Sequence, residues 1–109
     1  WLMQLHRTNR TMKRHRPAES ADASPVLVES NREWAMSAED LDKKATETGA
    51  KVLLMSYMRG HVPDMDAVME VVKKHNLIFI EDCAHAYETL WNGEFLGKFA
   101  SCSLENNPL

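Results

Sequence analysis

The chain has 109 residues, of which 44% are hydrophobic, and a formal net charge of −3. This length allows one domain at most, and no apolar run approaches the roughly 20 residues that a membrane-spanning helix needs. Its two cysteines, Cys83 and Cys102, form neither a disulfide framework nor a zinc pattern. We therefore expect a reducing, cytoplasmic setting.

The charge is distributed unevenly along the chain. The first 16 residues carry five basic side chains and no acidic one, whereas the other 93 residues carry eight basic and sixteen acidic ones. Such a basic arm is typical of a contact with nucleic acid or an anionic surface, or of a targeting segment. A disordered or foreign leader is the interpretation that we favour. The basic residues are Arg7, Arg10, Lys13, Arg14 and Arg16.

The first part of the chain predicts a leader, a strand and a helix. Residues 1–24 show no clean periodicity, so we expect an irregular leader there. Residues 26–28 are a short run rich in β-branched side chains, which favours a strand. Ser37 precedes two acidic residues, which predicts a helix start, and Gly49 predicts its end.

The middle of the chain repeats this alternation. Residues 51–56 (KVLLMS) contain four consecutive apolar residues and predict a buried strand. Asp64 is a suitable N-cap for a second helix with apolar residues at helical spacing, and Asn76 can close it. Residues 77–80 are a continuous apolar run, which predicts a strand buried on both faces. The alternation predicts a parallel βαβαβ arrangement.

The last part of the chain predicts a hairpin. Asn92 and Gly93 stand between two short apolar stretches, and this dipeptide is the strongest short hairpin signal. Residues 100–109 are polar and irregular, so we expect a tail without regular structure.

Two carboxylates follow the central buried run. An aspartate at the position of Asp82 is poorly solvated, so it needs a cationic partner or a protonated ligand nitrogen. The structural alternative is a carboxylate that caps the next turn through backbone N–H groups, and from spacing alone this alternative is favoured. Glu81 points the other way along the strand and is expected to be solvated or structural.

The residues after Asp82 suggest further chemistry. His85 lies three residues later and shares a site with Asp82 if the chain turns there. Cys83 beside His85 suggests a nucleophile, and the three residues together suggest metal ligands. No second cluster completes a metal site, and a cysteine followed by alanine behind a buried strand is typical of packing, so we predict neither.

Three blocks, taken together, resemble a known family. They are residues 60–68 (GHVPDMDAV), 77–86 (LIFIEDCAHA) and 91–97 (WNGEFLG). In this order and spacing they resemble consecutive blocks of the DegT/DnrJ/EryC1/StrS aminotransferases. These are fold-type-I, pyridoxal-phosphate-dependent enzymes, many of which aminate keto sugars on nucleotides. The resemblance covers residues 25–99. It implies an α/β fold, the parallel βαβαβ portion of the large domain followed by a β-hairpin.

The resemblance also implies roles for individual residues. Asp82 falls where the family's aspartate pairs with the protonated pyridine nitrogen of the cofactor, pyridoxal 5'-phosphate. His85 falls where the family has Gln or His near the phenolic oxygen of the ring. Tyr57 and His61 fall at positions that flank the site. The implied substrate is a nucleotide-linked keto sugar with glutamate as donor, and the implied full-length form is a homodimer.

Elements of the family are missing at both ends of these 109 residues. Before Pro25 the family has a small-residue turn that grips the cofactor phosphate and an aromatic residue that stacks on its ring, and residues 1–24 show neither. The family holds the cofactor as a Schiff base on a lysine that follows a serine by five residues. If Ser103 were that serine, the lysine position would be Pro108, and no lysine occurs after Lys98. We therefore expect a partial domain, cut from the family frame at both ends, that does not transaminate by itself. The alternatives are a non-catalytic α/β binding module and a nucleic-acid-associated protein that uses the basic arm.

Overall fold

The computed structural model describes residues 2–4, 22–86, 88–99 and 102–104. This part of the chain forms two helices and seven strands, with a short 3-10 turn, Met58–Gly60, between the third strand and the second helix. The elements are β1 (Leu2–Gln4), β2 (Val26–Val28), α1 (Ala38–Thr48), β3 (Val52–Ser56), α2 (Met65–Lys74), β4 (Ile78–Asp82), β5 (Leu90–Trp91), β6 (Glu94–Phe95) and β7 (Cys102–Leu104).

Five strands form one parallel sheet in the order β2-β1-β3-β4-β7. The pairing of β3 with β4 runs from Val52 opposite Ile78 to Ser56 opposite Asp82, so both strands end at the same edge. The strands β5 and β6 pair antiparallel as a separate hairpin. The predicted parallel βαβαβ portion followed by a hairpin is confirmed.

The expectation of irregular structure in the leader and the tail is wrong at two places. Leu2–Gln4 and Cys102–Leu104 are strands of the main sheet. Strands of three residues show no periodicity of their own, and these two are fixed by backbone pairing with strands distant in sequence. Residues 22–24 are described without a strand or helix, and the rest of both segments lies outside the described residues. The division of the chain near residues 25 and 99 stays a prediction.

The predicted starts of both helices and the predicted end of α1 are confirmed, whereas α2 has its C-cap at His75, one residue before Asn76. The Ser37 hydroxyl accepts a hydrogen bond from the Asp40 N–H at 3.2 Å, and the Asp64 carboxylate accepts one from the Ala67 N–H at 3.2 Å. Each bond satisfies one backbone donor that the first helical turn leaves without a partner. Gly49 ends α1 in the left-handed conformation, with φ of 64°.

Both helices bury their apolar stripes in a single core with one face of the sheet. Along β3 and β4 burial alternates with the period of two expected for strands, so that Leu53, Met55 and Phe79 are buried whereas Ile78 is 53% exposed. The sheet therefore has a helix-covered face and a face that is only partly covered. No helix in the described part of the chain is long and apolar enough to cross a membrane.

Candidate functional site

The carboxylate of Asp82 stands at the carboxyl end of β4, partly buried. Its Oδ2 atom accepts a hydrogen bond from the Ser56 hydroxyl at 3.0 Å, and its Oδ1 atom accepts one from the Ala84 N–H at 3.1 Å. Ser56 can reach it because the two residues are directly opposite in the β3–β4 register. The carboxylate is thus oriented from both sides by neutral donors.

These two bonds leave Asp82 with unused capacity. A carboxylate offers about four acceptor positions, and no Lys, Arg or His of the described part of the chain pairs with this one. The Ala84 bond is the turn cap that the structural alternative requires. As far as the described residues go, the remaining acceptor positions are open to a ligand that carries a positive N–H group.

His85 lies in the turn that follows β4, and its side chain is exposed. The ring Nδ1 atom accepts a hydrogen bond from the Arg59 backbone N–H at 3.2 Å. The chain turns after Asp82, which is the condition for a site shared by Asp82 and His85.

Tyr57 flanks the site through its backbone and not through its side chain. Its N–H donates to the Asp82 carbonyl oxygen at 3.2 Å. The side chain is fully buried on the helix-covered side, where the hydroxyl donates to Glu81 Oε1 and lies 3.5 Å from Met65 Sδ. Burial, followed by the hydrogen bond with Glu81, raises the pKa of Tyr57 far above its ordinary value, so the phenol remains a neutral donor.

Of the two alternatives expected for Glu81, the structural one is confirmed and the solvated one is wrong, and the predicted direction of the side chain is right. Glu81 has no exposed surface, and within the described residues its Oε2 atom has no hydrogen-bond partner. The period of two along β4 places it with Phe79 on the core face, opposite Asp82.

His61 is exposed, and no described residue links it to Asp82 or His85 by a hydrogen bond. The structure therefore brings Asp82, His85 and the Tyr57 backbone together. Among the described residues, no hydrogen bond connects His61 to this group. Cys83 is buried next to Asp82, and no group of three His, Cys, Asp or Glu side chains suited to a metal ion occurs within the described residues.

Two contributors were missed at the level of sequence. Ser56 carries a detectable signal, because it ends the predicted strand before the loop and parallel strands end at the same edge. Arg59 carries none, because it acts through its backbone N–H, which every residue except proline has.

Comparisons with known proteins show which family and which fold the chain resembles. A family model described as the DegT/DnrJ/EryC1/StrS aminotransferase family matches residues 14–104. GDP-perosamine synthase of Escherichia coli O157:H7 is 37% identical over 82 residues, which are 74% of this chain and 22% of that protein. A putative L-glutamine:3-amino-2,3-dideoxy-scyllo-inosose aminotransferase of Micromonospora echinospora is 32% identical over 77 residues, which are 70% of this chain and 18% of that protein.

A solved structure shows the same fold. The crystal structure of 3-amino-5-hydroxybenzoic acid (AHBA) synthase matches with a TM-score of 0.75 and 22% identity over 88% of this chain and 24% of that one. The chain thus spans about a fifth of the length of the curated relatives that it matches.

Proposed function

This chain belongs to the DegT/DnrJ/EryC1/StrS aminotransferase family, and we propose that it supplies the pyridine-binding part of a pyridoxal-phosphate-dependent aminotransferase site. In this proposal Asp82 holds the protonated ring nitrogen of the cofactor, and His85 stands near the phenolic oxygen of the ring. Tyr57 and His61 remain flanking residues.

The proposal is supported chiefly by the burial and the hydrogen-bond partners of the Asp82 carboxylate. This carboxylate is partly buried, held by Ser56 and Ala84, and no described residue supplies it with a cation. A partly desolvated carboxylate favours the protonated form of a neighbouring pyridine nitrogen. The resulting pyridinium in turn favours the ionised carboxylate. The residues present therefore fit this cofactor.

Each residue then has a definite task. When bound, pyridoxal phosphate supplies an electron sink for the carbanion that forms at the substrate carbon. Asp82 keeps a proton on the pyridine nitrogen. The Ser56 hydroxyl and the Ala84 N–H fix the direction of the carboxylate, and His85 uses Nδ1 for Arg59 and keeps Nε2 for the ligand.

We further propose that the substrate of the whole protein is a keto sugar linked to a nucleotide, with glutamate as the amino donor and a homodimer as the working form. The name of GDP-perosamine synthase supports a nucleotide-linked sugar. The name of the Micromonospora relative includes L-glutamine, so glutamine is the alternative amino donor to test beside glutamate.

The 109 residues contain no lysine after Lys98. The resemblance implies a lysine that moves the proton between the carbons of donor and product, so we expect no aminotransfer by this chain alone. Mixing the purified chain with pyridoxal phosphate and glutamate and following one turnover by absorbance checks this expectation.

A chimera tests the proposed role. Residues 25–99 replace the matching stretch of GDP-perosamine synthase, and aminotransfer from glutamate to its sugar substrate is measured. We expect activity in this chimera and a loss of about 10²–10³-fold on Asp82→Asn, the size found when an oriented electrostatic group is removed.

The matched control is Glu70→Gln, at an exposed residue of α2 for which no hydrogen bond or ion pair is described, and it should leave the rate unchanged. A chimera that folds but does not bind pyridoxal phosphate would contradict the proposal and favour the non-catalytic binding module.

A further inference from the structure

Beneath the candidate site, Tyr57 and Glu81 form a pair that the proposed chemistry does not use. Both side chains have no exposed surface, and the Tyr57 hydroxyl donates to Glu81 Oε1. The other carboxylate oxygen is buried and has no partner among the described residues. Burial of a carboxyl group with a single partner is costly, so the pair calls for a structural reason.

Tyr57 is attached to the sheet at more than one point. Its side chain bonds to Glu81 of β4, and its backbone N–H bonds to the carbonyl oxygen of Asp82 on the same strand, at 3.2 Å. Its own carbonyl oxygen accepts the Gly60 N–H at 3.0 Å and so closes the turn Met58–Gly60. Tyr57, the residue directly before this turn, is therefore fixed through its side chain, its N–H group and its carbonyl group.

The far side of the turn touches the loop that carries His85. Arg59 adopts the left-handed conformation, with φ of 56°, which is unfavourable for a residue with a side chain. Its N–H lies 3.2 Å from His85 Nδ1. A Cβ atom added at Gly60 would lie 3.3 Å from the His85 carbonyl oxygen, so the two loops are in close contact.

The hydrogen bond from the Arg59 N–H determines which ring nitrogen of neutral His85 carries the proton. A backbone N–H can donate to Nδ1 only if that nitrogen has a free lone pair, which places the proton of the neutral ring on Nε2. We propose that the Tyr57–Glu81 pair is a buried strut that holds the turn Met58–Gly60 in place, so that the Arg59 N–H fixes His85 as an Nε2–H donor.

Tyr57 and Glu81 are positioning residues in this scheme, since they act on His85 through Arg59. The strut itself depends only on contacts within the chain. The use of the Nε2–H group toward the phenolic oxygen of a cofactor rests on the proposed function. A test without cofactor therefore separates a failure of the strut from a failure of the proposed function.

The test uses nitrogen-15-labelled full chain and nuclear magnetic resonance, at a pH well above the ordinary histidine pKa of about 6.5. Two quantities are measured. One is the scalar coupling across the hydrogen bond between the Arg59 amide nitrogen and His85 Nδ1. The other is the rate of hydrogen exchange of the Arg59 amide. We expect a resolved coupling, an unprotonated Nδ1 and a protected amide.

Two variants separate the strut from the stability of the fold. In Tyr57→Phe with Glu81→Met, apolar groups of similar size replace both partners, a change that can leave stability nearly unaltered. We expect loss of the coupling and exchange of the Arg59 amide at least about fivefold faster, the effect of losing one hydrogen bond. In Glu81→Gln the side-chain oxygen still accepts from Tyr57, so coupling and protection should remain near those of the unaltered chain.

The Leu41 amide of α1, which donates to the carbonyl oxygen of the N-cap residue Ser37 at 3.0 Å, serves as the internal reference. Its exchange should be the same in all variants. The proposal is overturned if the unaltered chain shows no coupling or if the double variant keeps it. It is also overturned if the Leu41 and Arg59 amides accelerate equally, because the pair would then support the fold as a whole.

Discussion

Neighbouring residues of β4 serve opposite faces of the sheet. Glu81 is fully buried against Tyr57, whereas Asp82 turns toward Ser56 and the candidate site. The sequence predicts this alternation, because side chains of a strand point to opposite faces in turn. It does not predict the burial of Glu81, because the partner, Tyr57, is 24 positions away and pairing across strands is invisible in a local pattern.

Gly60 is needed at its position for two reasons. It has φ of 76°, and an added Cβ atom would lie 3.3 Å from the His85 carbonyl oxygen. We expect Gly60→Ala to lower the free energy of unfolding by about 1–2 kcal/mol for the left-handed conformation, and further for the contact. Urea unfolding of the chain measures the change.

Gly49 provides the matched control for Gly60. Its φ is 64°, and nothing lies within 4 Å of an added Cβ atom. Gly49→Ala should therefore show the conformational cost alone. If both variants lowered the free energy of unfolding equally, the close contact between Gly60 and the loop that carries His85 would be contradicted.

At the level of elements, charged side chains join the two helices. Asp42 of α1 bonds to Lys74 Nζ at 3.0 Å and to His75 Nε2 at 2.6 Å, at the end of α2. The hydrogen bond with His75, followed by that with Lys74, lowers the pKa of Asp42 below its ordinary value. The ionised form of Asp42 is thus favoured in the folded state.

This lowered pKa sets a pH dependence. The contribution of Asp42 to stability is complete above the ordinary aspartate pKa of about 3.9, and it is lost as the pH falls through the lowered value. We expect Asp42→Asn to lower the midpoint of thermal unfolding slightly at neutral pH. The difference from the unaltered chain should vanish in strong acid.

Glu47→Gln is the control for Asp42→Asn, because Glu47 is an exposed residue of the same helix for which no hydrogen bond or ion pair is described. It should not change the midpoint at any pH. A difference between Asp42→Asn and the unaltered chain that stays constant down to strong acid would contradict the assignment.

Elements with a local signal were predicted from the sequence. Ser37 and Asp64 cap their helices, and Asn92 and Gly93, with φ of 49° and 82°, form the turn of the hairpin. Leu2–Gln4 and Cys102–Leu104 were not predicted as strands, because only pairing with distant strands defines them.

At the scale of the whole molecule, the sheet has two different faces. Phe79 is 1% exposed on the helix-covered face, and its neighbour Ile78 is 53% exposed on the other. The strand order places β1 between β2 and β3, which no property of the sequence indicates, since β1 is a three-residue run. The alternation of strands and helices was predictable, and the order of strands was not.

Shortening a side chain to alanine should change the free energy of unfolding differently on the two faces of the sheet. Phe79→Ala should lower the free energy of unfolding by about 3–5 kcal/mol, because it opens a cavity in the shared core. That is a large part of the roughly 5–15 kcal/mol that stabilises a typical domain. Ile78→Ala, one residue away, should change it by less than about 1 kcal/mol. If chemical denaturation showed that both variants lower the free energy of unfolding by similar amounts, the described arrangement of the sheet would be contradicted.

The central claim concerns one proton on the cofactor. The most direct measurement is the nitrogen-15 chemical shift of ring-labelled pyridoxal phosphate, bound to the chimera that contains residues 25–99. We predict a protonated ring nitrogen with Asp82 present and an unprotonated one after Asp82→Asn. The same nitrogen shift in both proteins would contradict the role of Asp82 as the partner of the pyridine nitrogen.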